Sequence, residues 1–324
     1  MKDIADNNLL KEARTNEYGR ADKAAAWALL ARLYLNAEVY TGTGKYTEAA
    51  TYSEKVINAG YSLKNDYEQL FLANNNLNNP EIILSINYDG EKTRNWGGMT
   101  FLINCGSNGA YQEEYKDILL HYGLIDNPTW SGYRVRKEFT GKFADGDKRF
   151  LFVGENPSIE NVIEYKEGLA TYKWRNITID ANGDWDYGSH ISYADNDFPL
   201  FRLAEMYLTY AEAVKRGGSG NASLALEYIN KIRERAFGND DNNYSTFNDV
   251  ALENILNERG FELYWEAHRR TDLIRFNRFT GSNYIWEWKG GVRNGRSVSS
   301  HYNLYPIPSS DLMANPNLKQ NLNY

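Results

Sequence analysis

A single cysteine, Cys105, occurs in 324 residues. The chain therefore has no intramolecular disulfide and no cysteine-rich metal site, and cysteine usage does not decide its compartment. Long apolar runs are also missing. No stretch approaches the ~20 apolar residues that a helix needs to cross a bilayer, and the mean hydropathy is −0.64. Positive charge is in short supply, with 36 Lys and Arg against 43 Asp and Glu and a net charge of −7. A nucleic-acid backbone is bound by clustered Lys and Arg, so nucleic acid is not an expected partner. The four histidines, His121, His190, His268 and His301, are far apart, with no serine or cysteine motif beside them. No glycine loop of phosphate-cradling spacing occurs. Nothing here signals catalysis, a metal or a cofactor.

What the chain has in excess is aromatic: 14% of residues, with 25 Tyr and 8 Trp. These rings combine an apolar face with a polar handle and serve wet interfaces as well as cores. The 42% hydrophobic content suits a folded protein with a sizeable core and one or two domains.

The strongest pattern runs from Asn248 to Phe279. Apolar residues, among them Ile255, Leu256, Phe261, Leu263, Tyr264, Leu273 and Phe276, recur at helical spacing. Thr246–Asp249 has the form of a capping box, which predicts one long central helix starting near Asp249. Charges at offsets of three and four (Arg259 to Glu262, Glu266 to Arg269 and Arg270, Asp272 to Arg275) predict pairs on its surface. Glu258, Glu262, Glu266 and His268 suggest a carboxylate metal site. The Glu266-x-His268 spacing places those two side chains roughly 200° apart on a helix, so a salt-bridge network is the better reading.

Upstream, Trp27, Leu30, Ala31 and Tyr34 match the tetratricopeptide pattern, with Ala49 following 22 positions after Trp27. Leu203, Met206, Tyr207 and Tyr210 repeat the layout, again with an alanine, Ala225, 22 positions on. Tyr207 occupies a place that favours a small residue. Two helical hairpins with equal offsets predict a repeat-type helical scaffold.

Residues 61–196 change character. Glu81–Ile86 reads as a short strand, and Gly- and Asn-rich loops carry Tyr88, Trp96, Tyr111, Trp130 and Tyr133. Ile177–Asp180 and Asp184–Tyr187, joined through Asn182-Gly183, predict a β-hairpin. Asp180, Asn182 and Asp184 have the 1-3-5 spacing of a calcium loop, but Trp185 stands where its glycine belongs and Ile191 where its glutamate belongs. Residues 280–304 form another aromatic loop, with Tyr284, Trp286, Trp288 and Tyr302, and Tyr305–Tyr324 predicts an extended strap. Sugars have flat C–H faces and hydroxylated edges, which suit a ring beside Asn, Asp or Arg. Asn87-Tyr88-Asp89 and Arg94-Asn95-Trp96 have that composition.

Glu258–Phe276, ERGFELYWEAHRRTDLIRF, resembles the signature helix of the SusD/RagB family of outer-membrane glycan-binding lipoproteins. Leu29–Leu35, Asp147–Arg149, Asp197–Ala213, Ile229–Ala236 and Tyr305–Tyr324 resemble further family segments in the same order. The resemblance implies a mostly α fold: tetratricopeptide-like repeats with an irregular loop-rich region and short β-hairpins. Residues 1–80 are the expected helical segment, and residues 81–324 the expected C-terminal domain packed on it as one compact unit.

It further implies a non-catalytic protein exposed at the outer membrane. Such a protein binds oligosaccharide and docks through its helical-repeat side on a TonB-dependent transporter. Members carry a lipid anchor behind a signal peptide. Residues 1–20 are polar and show no such signal, so the chain reads as the C-terminal two thirds of a member. The segment after the Glu81–Ile86 strand resembles a ligand-contacting loop, which makes Tyr88, Arg94, Asn95 and Trp96 the candidate ligand-binding residues, with Trp286 as a further one. Trp130 and Arg134 resemble a structural segment and are expected to pack and pair ions. Two rivals stay open: a peptide- or other-nutrient-binding member, and a glycoside hydrolase drawing its carboxylates from Glu113, Glu114, Asp184 and Asp186.

Overall fold

The computed structural model describes residues 2, 4, 9–106, 130–180 and 182–324. Tyr111, Glu113, Glu114 and His121 lie outside the described residues. The chain forms two compact units, residues 1–268 and 269–324.

The larger unit begins with α1 (Lys23–Leu35), α2 (Ala37–Thr41) and α3 (Tyr46–Ile57). Asp22 caps α1, its Oδ1 accepting the Ala25 N–H at 3.1 Å, which satisfies a donor that every helix start leaves open. The irregular part holds β1 (Ile82–Ile86), α4 (Gly98–Gly106), α5 (Lys137–Thr140), β2 (Phe152–Val153), β3 (Ala170–Thr171), β4 (Ile177–Ile179), β5 (Trp185–Tyr187) and β6 (Phe198–Arg202). After it come α6 (Leu203–Lys215), α7 (Ala222–Phe237) and α8 (Leu252–Leu263). Among the described residues three antiparallel pairs form: β1 with β6, β2 with β3, and β4 with β5. The last is the hairpin expected around Asn182-Gly183, with Ile177 opposite Tyr187 and Ile179 opposite Trp185.

The repeat pattern accounts for the scaffold. α1 packs on α3, α3 on α6 and α6 on α7, so the two sequence-distant hairpins form one continuous array. Small residues sit at the crossings. Ala28 and Ala31 of α1, Ala49 and Ala50 of α3, Ala204 and Ala211 of α6, and Ala225 of α7 are each 1% exposed or less. The misfit at Tyr207 is resolved by stacking: its ring lies 4.6 Å from that of Tyr228, at an interplanar angle of 1°.

The single long helix expected from Asp249 to Phe279 is not formed. Thr246 Oγ1 does bond Asp249 Oδ2 at 2.8 Å, but it closes only a 3₁₀ turn. The helix proper starts at Leu252, where Asn254 Oδ1 accepts the Ala251 N–H at 2.8 Å. It ends at Leu263. Trp265 and Ala267 then adopt φ of 62° and 63°, and α9 (Arg269–Arg275) begins afresh. The cause is competition for carbonyls. The Glu262 carbonyl accepts from Tyr67 Oη at 2.8 Å, from Arg202 at 2.8 Å and from Lys173 Nζ at 3.2 Å, and the Tyr264 carbonyl accepts from Lys173 Nζ at 2.6 Å. Oxygens saturated by side chains no longer draw the next turn into the helix.

The charges of this stretch also behave differently from surface pairs. Asp272 does meet Arg275 at 2.7 Å. Glu262 and Glu266, however, are buried acceptors for Arg202, at 2.6 and 2.7 Å. Arg202 also reaches Glu81 at 2.8 Å, Arg235 joins Glu81 to Glu262, and Lys173 meets Glu266 at 2.6 Å. Arg149 pairs with Asp147 at 2.7 Å and Glu258 at 3.0 Å. The carboxylates of Glu258, Glu262 and Glu266 are thus occupied by guanidinium and ammonium groups.

In the smaller unit, α9 is followed by the aromatic loop, closed by a bridge between Gly281 and Val298. The tail is not wholly extended. Pro308 precedes a six-residue helix, α10 (Ser309–Ala314), since Ser309, Ser310 and Asp311 after a proline suit a helix start. The tail is pinned by the Gln320 amide, which exchanges bonds of 2.8 and 2.9 Å with the backbone of Ile307.

Candidate functional site

The loop joining β1 to α4 carries four of the candidate residues. It is anchored from below by two aspartates of the 195–197 segment. Asp197 Oδ1 accepts the Tyr88 N–H at 2.8 Å, and Asp195 Oδ1 accepts the Gly90 N–H at 2.7 Å. Burial raises the Asp197 carboxyl above the ordinary range, against the pull of that amide. Within the loop, Asp89 accepts the N–H groups of Glu91 and Lys92 at 3.0 and 2.9 Å. The bond from the Lys92 side chain lowers its carboxyl below the usual range.

Asn95 closes the turn before the tryptophan, its Oδ1 accepting the Gly97 N–H at 2.8 Å and its amide donating to the Thr93 carbonyl at 3.1 Å. Arg94 donates to the carbonyl of buried Gly90 at 3.2 Å and pairs with exposed Glu91 at 3.1 Å. Tyr88 lies deeper. It is half-buried against the cluster of Phe71, Met99 and Trp174, with its hydroxyl over Gly98, where any Cβ would collide with it. Gly98 itself has φ of 54°, so the α4 start depends on glycine twice over.

Trp96 is 55% exposed and is the centre of a run of rings. Its centroid lies 4.9 Å from Tyr193 and 5.8 Å from Trp130. Trp130 continues to Phe101 at 6.1 Å, Phe101 to Tyr133 at 5.5 Å, and Tyr133 to Trp265 at 5.8 Å. Trp130 and Tyr133 are 37% and 46% exposed, so the run faces water over much of its length. Arg94 lies 5.9 Å from the Tyr193 ring. On the flank of the same loop, Tyr88 and Asp89 line a cavity of about 230 Å³ with Asn74, Asn76, Ser189 and Asp195. The left-handed turn that ends α8 has a role here, since it presents Trp265 to Tyr133.

Trp130 is expected to pack, and among the described residues its ring meets exposed Trp96 and half-buried Phe101. Arg134 holds structure, donating to the carbonyls of Val162, Glu164 and Glu167 at 2.7, 2.6 and 2.9 Å. Tyr193 escaped sequence reasoning. It lies nearly a hundred residues from Trp96, with no motif linking the two. Trp286 belongs to the smaller unit, where it lines a separate cavity of about 730 Å³. Asp184 and Asp186 are exposed on the β4–β5 hairpin, and Asp186 Oδ1 is taken by the Tyr187 N–H at 2.8 Å.

An array of helical hairpins bearing an irregular, ring-lined face defines the class to which comparison with known proteins points. The model of the SusD family matches residues 146–324, and the chain belongs to that family. It is 38% identical to the starch-binding protein SusD of Bacteroides thetaiotaomicron over 97% of its own length, and 27% identical to a SusD-like protein of Bacteroides ovatus over 93%. It spans 62% and 56% of the lengths of those two relatives. Among solved structures, it shares its fold with surface glycan-binding protein A of B. thetaiotaomicron at a TM-score of 0.72 and 24% identity, covering 100% of this chain and 68% of that one. The same protein in complex with laminarihexaose gives 0.71 at 23% identity, covering 99% and 68%.

Proposed function

We propose that the chain binds oligosaccharide without cleaving it, and that the sugar lies along the rings of Tyr193, Trp96 and Trp130. The observation that carries this reading is the exposure of Trp96 amid contacting rings, since a ring held only for packing is turned inward. Each ring offers a flat apolar face to a pyranose, while polar groups orient its edge. Arg94 supplies donors at one end. Asn95 holds the turn that aims Trp96. Tyr88 and Asp89, with the neighbouring Asn74 and Ser189, form a polar wall suited to hydroxyls. Trp286, the further candidate, lines the separate cavity of the smaller unit.

In keeping with its family, the protein delivers its ligand to a TonB-dependent transporter at the outer membrane, held at the cell surface by a lipid anchor of the full-length protein, with the helical repeats as the docking side. Residues 1–80 supply part of those repeats and residues 81–324 the C-terminal domain, and the packing of α3 on α6 ties the two together. The relatives named for starch and glycan binding support the ligand class.

The test is incubation with a panel of purified polysaccharides, reading both retardation in affinity gels and release of reducing ends. Retardation without new reducing ends is expected. New reducing ends would make the protein a glycosidase, and no retardation by any polysaccharide would favour a peptide or another nutrient.

A further inference from the structure

The cavity of about 730 Å³ in the smaller unit falls within the size range of small-molecule sites, roughly 300–1,000 Å³. Phe279, Trp286, Trp288, Tyr302 and Tyr305 supply rings to its wall, and Arg270, Lys289 and Arg296 supply charge. No Asp or Glu side chain is among the residues that line it.

The partners of those three cations set the site apart from the rest of the molecule. Arg270 donates to the carbonyls of Tyr302 and Asn303 at 2.8 and 3.2 Å, and its guanidinium lies 4.0 Å from the centroid of the Tyr305 ring. Lys289, only 3% exposed, donates to the carbonyls of Gly281 and Tyr284 at 3.0 and 2.6 Å and sits 4.4 Å from the Trp286 centroid. Arg296 Nε donates to the Gly290 carbonyl at 3.0 Å. Every one of these partners is an uncharged backbone oxygen or a ring. In the larger unit, by contrast, Arg149, Arg202 and Arg235 each meet carboxylates directly.

A buried cation without a counter-ion is costly, and burial does pull Lys289 below the ordinary lysine range. Three positive charges around one ring-lined hollow are complementary to a ligand that has a flat apolar face and a negative group.

We infer that this cavity is a second ligand site, for a sugar residue carrying a carboxylate, of the uronic-acid class. The rings take the apolar face of the pyranose and the cations take the carboxylate. The site is independent of the Trp96 surface, which has the shape for a neutral chain.

The experiment is titration calorimetry of the full chain with sodium glucuronate, glucose and sodium acetate at constant ionic strength. Glucuronate is expected to bind at least tenfold tighter than either comparator. It should still bind in the presence of a saturating neutral polysaccharide taken from the panel above. Arg296→Glu should weaken it at least tenfold and Arg296→Gln less. Arg296 is exposed and its one side-chain bond is to a backbone carbonyl, so both variants should keep the wild-type circular dichroism. Equal binding of glucose, or equal binding of acetate, would overturn the inference. So would displacement by the neutral polysaccharide, or indifference to Arg296→Glu.

Discussion

Removal of Arg202 is predicted to be the most damaging single change in the fold, and its magnitude follows from the contacts. The guanidinium makes five hydrogen bonds: to Glu266 at 2.7 and 2.8 Å, to Glu81 at 2.8 Å, and to the Glu262 carboxylate and carbonyl at 2.6 and 2.8 Å. Arg202→Met leaves three buried carboxylates with fewer partners. Glu81 keeps Arg235, Glu266 keeps Lys173, and Glu262 keeps Arg235 with Arg149 at 3.6 Å. Breaking a buried pair on one side costs about 3–5 kcal/mol. With a urea slope of ~3 kcal/mol/M, the midpoint should fall by roughly 1–1.7 M.

The loss should also depend on pH. Burial pushes the Glu262 carboxyl up, and Arg235, Arg202 and Arg149 together overcome it, holding it well below the usual range; Glu266 is likewise lowered, by Arg202 and Lys173. Carboxylates with depressed folded values stabilise the protein above the unfolded value, near 4.3, and that stability fades as pH drops through the folded value. Without Arg202 these groups take up protons earlier. The wild-type-to-variant gap in urea midpoint should therefore narrow between pH 6 and 3. Arg202→Lys should recover only part of the loss, because an ammonium cannot reproduce the planar fork. A gap below about 1 kcal/mol, or one unchanged from pH 6 to 3, would refute the reasoning.

Two further outcomes are expected. Burial pulls Lys173 down to about 8 against the pull of Glu266. Above pH 8 the folded chain has therefore released a proton that the unfolded chain keeps until near 10.4, and stability should rise with pH across that window. The rise is measured as the difference between the urea midpoints of wild type and Lys173→Met from pH 7.5 to 9.5, and its absence would contradict the placement of Lys173. Gly98→Ala should cost about 1–2 kcal/mol for the left-handed φ alone. It should also weaken glycan binding in affinity gels, because the new Cβ displaces Tyr88 from beneath the loop.

Much of the scaffold was legible because helix repeats are written in local spacing. The alanines at 31, 49 and 225 and the Asn182-Gly183 turn needed only neighbours to be read. The break after Leu263 was not legible, because its cause is Lys173, Tyr67 and Arg202, all distant in sequence. For the same reason, charges spaced three and four apart look alike whether they face water or an arginine core; Asp272 with Arg275 is an expected local pair that forms. At the candidate site, loop composition singled out Trp96 and its neighbours in the chain. Their relations were hidden, since Tyr193, before β6, meets Trp96, after β1, only once those two strands pair. Tyr88 shows the converse: its position was read correctly as a loop residue, yet its ring supports the loop from below.

The most direct test of the central claim is the affinity of Trp96→Ala for whichever oligosaccharide the wild type binds, with circular dichroism held as a check on folding. Covering roughly 50–100 Å² of the exposed ring at ~25 cal/mol/Å², plus about 1 kcal/mol of stacking, is worth about 2–3 kcal/mol. The predicted dissociation constant is therefore higher by ~30-fold or more. A folded Trp96→Ala protein that binds within twofold of wild type would place the sugar elsewhere.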